Sequence, residues 1–275
     1  MTRHQRRKTM SIPSRLAAIG LLLSVSLMIP SQLRAQAINS AEPLDGTWQH
    51  SITGYLFLPF STKGTSVIDG TAAQIDLDLG EVLDLLQGAA SARYEGWRGD
   101  FGVIAEGYYV SIGDDTTLPT LTNIDVNTEQ FFFTLQGAYR FAHGQTQSGH
   151  RYAWDVAAGL KYNSLTQEID ITGGPNVSLG GTEDWVEPIV SLRYAADISD
   201  DWQFGARVDL SGFGVGGDDL QYLVLAGFQW NKWERTSLRF GYQFYGIDFS
   251  TTRPGGVFAY DIDQNGPYLS LSYRF

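Results

Sequence analysis

Twelve charged residues stand where a strand would turn its polar side: the basic Arg93, Arg140, Lys161, Arg193, Arg207, Arg239 and Arg274, and the acidic Glu95, Glu106, Asp155, Glu187 and Asp209. Seven against five is close to charge balance. Fixed charges of both signs on one set of strand faces serve two chemistries. Around an open channel they form an ion pathway with a constriction. In a narrow enclosure they pair into a salt-bridge network that fills it. The second is the expectation here.

Nucleophilic and metal chemistry find little to work with. Cysteine is absent, which removes disulfides, thiol catalysis and cysteine metal sites. Serine hydrolysis needs a histidine within hydrogen-bond reach of the serine. Past residue 37 the histidines are His50, His143 and His150, and neither Gly-x-Ser-x-Gly nor His-Glu-x-x-His occurs. His143 and His150 are expected in one polar turn. Asp69, Asp76, Asp78, Glu81, Asp114, Asp115, Glu183, Asp184, Asp218, Asp219 and Asp263 form acid-rich segments opposed by Lys63 and Arg253. Carboxylates attract hard cations, but no EF-hand spacing is present. A solvated acidic surface, bridged by ambient divalent ions, is expected; no metal ligands, catalytic residues or cofactor are assigned.

The elements that must position the twelve charges are strands. From Arg151 to Asn163, Tyr152, Trp154, Val156, Ala158, Leu160 and Tyr162 alternate with Arg151, Ala153, Asp155, Ala157, Gly159, Lys161 and Asn163. Period two means one face in an apolar medium and one in a polar medium. The same rule runs through 185–197, 201–213, 236–250 and the ending Tyr268 to Phe275. Short links near 95–100, 198–201 and 231–235 alternate with longer ones near 113–123, 172–184 and 250–257. Short turns on one side and long loops on the other favour a transmembrane barrel over a soluble sandwich. The strands are placed at 46–58, 87–95, 100–112, 124–141, 151–171, 185–197, 201–213, 219–230, 236–250 and 257–275. The fold class is therefore all-β: an antiparallel transmembrane β-barrel of about ten strands, within a range of 8–12. The segment 59–86 is either one outer excursion or hides an extra strand pair. Within it Asp78 and Glu81 have the spacing of a capping box. Leu79, Val82, Leu83 and Leu86 share one face of the short helix this predicts in the first outer loop, a lid, a plug or a loop ornament.

This scheme puts all three histidines at the periplasmic end, where an outer-leaflet hydrolase would not keep its base. The amino-terminus reads as a secretory signal: Arg3, Arg6, Arg7, Lys8 and Arg15, then an apolar run from Leu16 to Ile29, then Ala35-Gln36-Ala37. Residues 1–37 are expected to be removed, leaving 38–275 as one barrel. That removes six basic residues and no acids, leaving 13 against 30 and a net charge of −17. Nucleic acid is excluded as a partner, because phosphate binding needs a basic footprint. Aromatics at 13% and 31 glycines suit a barrel with interfacial girdles.

With the signal, the Tyr55-Leu56-Phe57-Leu58-Pro59 strand, the acidic Leu-rich helix and the Gly266-Pro267-Tyr268 to Phe275 ending, the chain resembles small Gram-negative outer-membrane β-barrel proteins. It is nearest to a group of uncharacterised barrels with an aromatic carboxy-terminal signal, and that likeness implies no catalytic residues. It implies that Tyr273 and Phe275 form the signal read by the barrel-assembly machinery. It also implies integral residence in the outer membrane among lipids and lipopolysaccharide. The expected role is non-enzymatic: a narrow pore for small solutes, or a structural or surface barrel with a salt-bridged lumen. The alternatives are an outer-leaflet lipid-modifying enzyme and a surface binding protein; the oligomeric state is left open.

Overall fold

A computed structural model describes residues 46–117, 123–173 and 176–275. The expected signal segment, 1–37, lies outside the described residues. Twelve strands and one helix make up the described chain. In order they are β1 (Gln49–Phe57), β2 (Ser61–Ile68), β3 (Thr71–Asp78), α1 (Leu79–Leu85), β4 (Leu86–Arg98), β5 (Phe101–Thr117) and β6 (Asn123–Gln145). Then follow β7 (Arg151–Thr172), β8 (Val177–Asp197), β9 (Trp202–Val215), β10 (Asp218–Trp230), β11 (Thr236–Arg253) and β12 (Gly256–Arg274).

Every pairing is antiparallel, and β12 closes on β1 from Phe57↔Tyr268 to Ser51↔Arg274. The closed ring is β1, β4 to β12: ten strands, with β2 and β3 as an added hairpin. The segment 59–86 thus holds the extra strand pair together with the helix. β2 extends the line of β1 along the upper half of β12, from Asn265↔Ser61 to Ala259↔Val67. Pro59 interrupts the two strands, but Leu58 N donates to Pro267 O (3.0 Å) and Phe60 N to Asn265 O (2.8 Å), so the ladder carries across. Such an interruption is where proline is tolerated in a sheet.

The long outer loops expected near 113–123, 172–184 and 250–257 are corrected. β5 and β6 stay paired to Thr117↔Asn123, β7 and β8 to Ile171↔Val177, and β11 and β12 to Arg253↔Gly256. The sheet stands well above the apolar band as a paired palisade. Beyond the membrane both faces of a strand are wet, so the alternation that marks a strand in sequence fades while the ladder continues.

The exterior is apolar in a band. Ile52, Val103, Leu135, Leu160, Val190, Leu210, Phe240 and Leu271 are large exposed hydrophobics. Around them lie girdle aromatics such as Phe101, Tyr139, Trp202, Tyr273 and Phe275 at the short-turn end. On β12 the outward positions run Phe275, Tyr273, Leu271, Leu269 and Pro267, then change to Asn265, Asp263 and Asp261. That apolar stretch of nine residues fits a hydrocarbon-spanning strand, which needs roughly 9–11. A closed sheet satisfies its backbone internally, so this is an outer-membrane-type barrel.

One place departs from closure. The β1–β4 ladder stops at Gly54↔Ala92, although β4 continues up to Leu86 against β5. Tyr55 to Phe57 pair on their other side with Ser270 to Tyr268, level with lipid-facing Leu269. Ser91 Oγ donates to Tyr55 O at the foot of this seam. Ala89 has inward parity and Ala90 outward parity, and both are exposed. Helix α1 directly precedes the unladdered stretch of β4 in the chain and contacts β3 and β5. Its capping box is complete: Glu81 N donates to Asp78 Oδ1 (3.0 Å) and Asp78 N to Glu81 Oε2 (2.9 Å). Leu79, Val82, Leu83 and Leu86 are half-buried while Glu81 and Asp84 are exposed; Leu86 is the C-cap rather than a helical residue.

Candidate functional site

Inward parity puts the charged set inside a ring of ten strands, where each residue must find a partner or bear the cost of desolvation. Nearest the short turns, Arg140 on β6 donates to Asp155 on β7 through Nε (2.8 Å) and Nη2 (3.4 Å). Beside them Trp97 is fully buried, with the Arg140 and Arg193 guanidinium groups 5.0 and 5.8 Å from its ring. Gly102 makes room for that ring, since a Cβ there would lie 2.6 Å from it.

The next layer is a chain of carboxylates and arginines. Glu95 accepts from Arg93 Nε (2.8 Å), Arg193 Nη2 (3.1 Å) and Trp97 Nε1 (3.0 Å). Glu106 accepts from Arg93, from Arg207 Nη2 (2.8 Å) and from Tyr55 Oη (2.8 Å). Asp209 holds Arg207 in turn, with Nε at 2.8 and 2.9 Å from its two oxygens. Arg239 donates to Gln229 and, among the described residues, stands outside ion-pair distance of any carboxylate. A cavity of about 100 Å³ lies within this layer.

Higher, Lys161 donates to Gln221 and sits 4.0 Å from Glu187. Its ammonium lies 4.7 Å from the centre of the Phe132 ring. Trp185 Nε1 donates to Glu187 Oε2 (2.7 Å), and Gln130 Nε2 reaches Tyr245 Oη (2.8 Å). Above that the lumen turns apolar: Leu165, Trp185, Tyr245, Ile247, Phe249, Phe258, Tyr260 and Ile262 pack together, with Ile75 of the added hairpin against them. Trp185 and Phe249 stack with ring centres 4.0 Å apart. Arg253 covers Phe258 at 3.8 Å and bonds Glu183.

Of the twelve expected charges, Arg93, Glu95, Glu106, Arg193, Arg207 and Asp209 join one connected set. Arg140–Asp155 forms a pair beside it and Lys161–Glu187 a pair above it. Arg239 lines the cavity and Arg274 pairs in register with Ser51 at the short-turn end. Sequence reasoning missed Tyr55, Trp97, Gln221 and the whole aromatic layer. The signal was available: Trp97 stands two residues after Glu95 and Trp185 two before Glu187, so each tryptophan shares its acid's register. Continuing the inward parity upward past Gln243 reaches Tyr245, Ile247 and Phe249.

The histidines lie at the short-turn end. His50 Nδ1 is 2.7 Å from Tyr94 Oη, and its ring stacks on Phe275 at 5.7 Å. His143 and His150 do not share a turn: His143 is in β6, paired with Ala153, with Nε2 3.7 Å from Asp100 Oδ1 of the β4–β5 turn, whereas His150 N donates to Thr146 Oγ1 within the β6–β7 turn. These contacts are structural pairings of turns and girdle.

No protein-family model matches the chain, and no curated protein matches it by sequence. Among solved structures it is similar to the outer membrane protease OmpT from Escherichia coli, at 12% identity and a TM-score of 0.45 over 86% of this chain and 100% of that one. The translocator domain of the autotransporter NalP from Neisseria meningitidis is 13% identical with a TM-score of 0.39, covering 84% of this chain and 90% of that one. Ail, the attachment invasion locus protein of Yersinia pestis, is 12% identical with a TM-score of 0.33, covering 83% and 98%. At such identities and scores the likeness carries no role to this chain.

Proposed function

We propose that this chain is a non-catalytic, structural surface barrel of the Gram-negative outer membrane, with a lumen closed at rest. Residues 1–37 direct its export. Tyr273 and Phe275 on the last strand present it to the barrel-assembly machinery, and lipids and lipopolysaccharide surround the finished barrel. The short-turn end is periplasmic and the palisade extracellular. α1 is a lid over the outer rim of the seam.

The observation that carries this reading is the stacking of three unlike layers across one lumen: the Trp97 platform, the arginine–carboxylate chain and the aromatic plug. Cross-lumen bonds such as Arg207–Glu106 and Gln130–Tyr245 tie strands that are four or five places apart in the ring. Small barrels are filled in this way, and only wider ones leave an aqueous channel. A solute would have to part the aromatic plug and break buried ion pairs in the charged layers, and losing one such pair costs about 3–5 kcal/mol.

The test is solute entry. Vesicles carrying the purified protein are predicted to hold their volume in isotonic solutions of small sugars. Swelling at the rate of an open diffusion pore would overturn the reading. Unchanged lipid A and phospholipid on overexpression would accompany it, whereas a new lipid species would restore the enzyme alternative.

A further inference from the structure

The charged layer does not balance. Arg93, Arg140, Arg193, Arg207 and Arg239 are five cations; Glu95, Glu106, Asp155 and Asp209 are four anions. Each of those carboxylates already holds at least one arginine of the other four. Arg239 has Gln229 as its hydrogen-bond partner and lines the cavity. Arg239 feels the Glu95 carboxylate, but Arg93 and Arg193 already hold that group, and a surplus cation within a lipid-clad barrel is costly unless a further counter-charge reaches it.

The cavity is built rather than left over. Gly205 and Gly227 pair at one level across β9 and β10 and both line it, so two neighbouring strands present no side chain there. Arg93 and Arg193, each 5% exposed, line the same space with Arg207 and Arg239. Glu95, Glu106 and Asp155 also line it, but their oxygens are engaged by arginines, Trp97 and Tyr55. A space of about 100 Å³ has room for one small tetrahedral or planar anion with its waters.

We propose that this cavity is an anion site, taking a single phosphate-type group between Arg239, Arg193 and Arg207. Guanidinium forks suit such oxyanions through paired N–H donors. The seam gives the site a second source. Tyr55 and Arg93 line the cavity, and each is the residue next to the last β1–β4 rung, Gly54↔Ala92, where the wall ceases to be laddered at the level of lipid-facing Leu269. The anion is therefore either a free ion or the headgroup of a phospholipid whose chains stay in the bilayer.

Thermal unfolding with sodium phosphate separates these. In nanodiscs of zwitterionic lipid, phosphate titrated at constant ionic strength against a bulky organic sulfonate raises the Tm by about 5 °C if the site takes free ion. In phosphate-free buffer, nanodiscs containing phosphatidylglycerol give the rise instead if it takes a headgroup. Arg239→Gln removes the response in either arm while leaving every ion pair of the layer in place. Gly205→Val fills the cavity without touching a charge, at a position where an added Cβ meets nothing nearer than 3.9 Å, and removes it too. A wild-type Tm indifferent to both phosphate and anionic lipid overturns the proposal, as does a response that survives both substitutions. The site goes beyond the closed-lumen reading and fails separately from it: swelling vesicles would sink that reading and leave the phosphate response standing.

Discussion

Arg193 on β8 reaches across the lumen to Glu95 on β4, Nη2 to Oε2 at 3.1 Å, while the same carboxylate oxygen accepts from Trp97. The two strands are four places apart in the ring, so this one bond braces the barrel from within. It also places a guanidinium over the Trp97 ring.

Removing Glu95 should therefore cost more than removing an average side chain. Glu95→Ala leaves Arg93 and Arg193 in a buried layer without their shared acceptor, and a loss of about 3–5 kcal/mol is expected. The double variant Glu95→Ala/Arg193→Ala should lose less than the sum of the two singles, because the second truncation removes an orphaned charge. Denaturation in micelles measures all three. Strict additivity would mean that the pair is not coupled.

The capping box gives a local prediction. Asp78→Ala removes the acceptor for Glu81 N and should destabilise α1 by about 1 kcal/mol. The seven-residue helix has no fully buried side chain, so the loss should stay local. Amide exchange over Leu79–Leu85 should quicken while the barrel Tm holds. A drop in the global Tm would show that α1 is part of the barrel's structural frame rather than a lid.

Above the membrane, burial pushes the Tyr260 phenol up to about 12. Tyr222, which is partly desolvated and donates to Asp263 (2.6 Å), rises to about 12 as well. Unfolded tyrosine titrates near 10. Between the two values the folded chain binds more protons than the unfolded one, so stability falls as pH rises from about 10 to 12 and is unaffected below. Spectrophotometric titration should show late-ionising tyrosines, and Tyr260→Phe should remove one. Ionisation of every tyrosine near 10 in the folded barrel would contradict the burial.

Assembly supplies the fourth prediction. Phe275 N donates to His50 O (3.0 Å), and the Phe275 ring stacks on His50 and Tyr273. Phe275→Ala should lower the yield of folded, heat-modifiable barrel in the outer membrane more than it lowers the Tm of the fraction that assembles. Equal losses in both would assign the ring to stability alone.

Much of this was legible in sequence where two media meet across a strand. Arg151–Asn163 alternates strictly because lipid and lumen differ most there, and the same contrast marked out the charged set. Asp78 and Glu81 announced their box through spacing alone. The β2–β3 hairpin was harder to see: Thr62, Ser66 and Lys63, Thr65 put polar residues on both faces, so period two has no contrast to show. The aromatic plug failed to register for the opposite reason. Tyr245, Ile247 and Phe249 are apolar on the inward side, at a height where Asp248 and Ser250 are polar on the outward side. The rule inverts above the membrane. Pairings between distant strands, such as Arg193 with Glu95, follow from closure of the ring and have no local signature.

The most direct measurement of the central claim is single-channel recording of the purified protein in planar bilayers. A lumen closed by the Trp97 platform, the ion-pair layer and the aromatic plug predicts a flat baseline, with no stepwise conductance in concentrated salt at either polarity. Reproducible ohmic steps from the unmodified protein would contradict it.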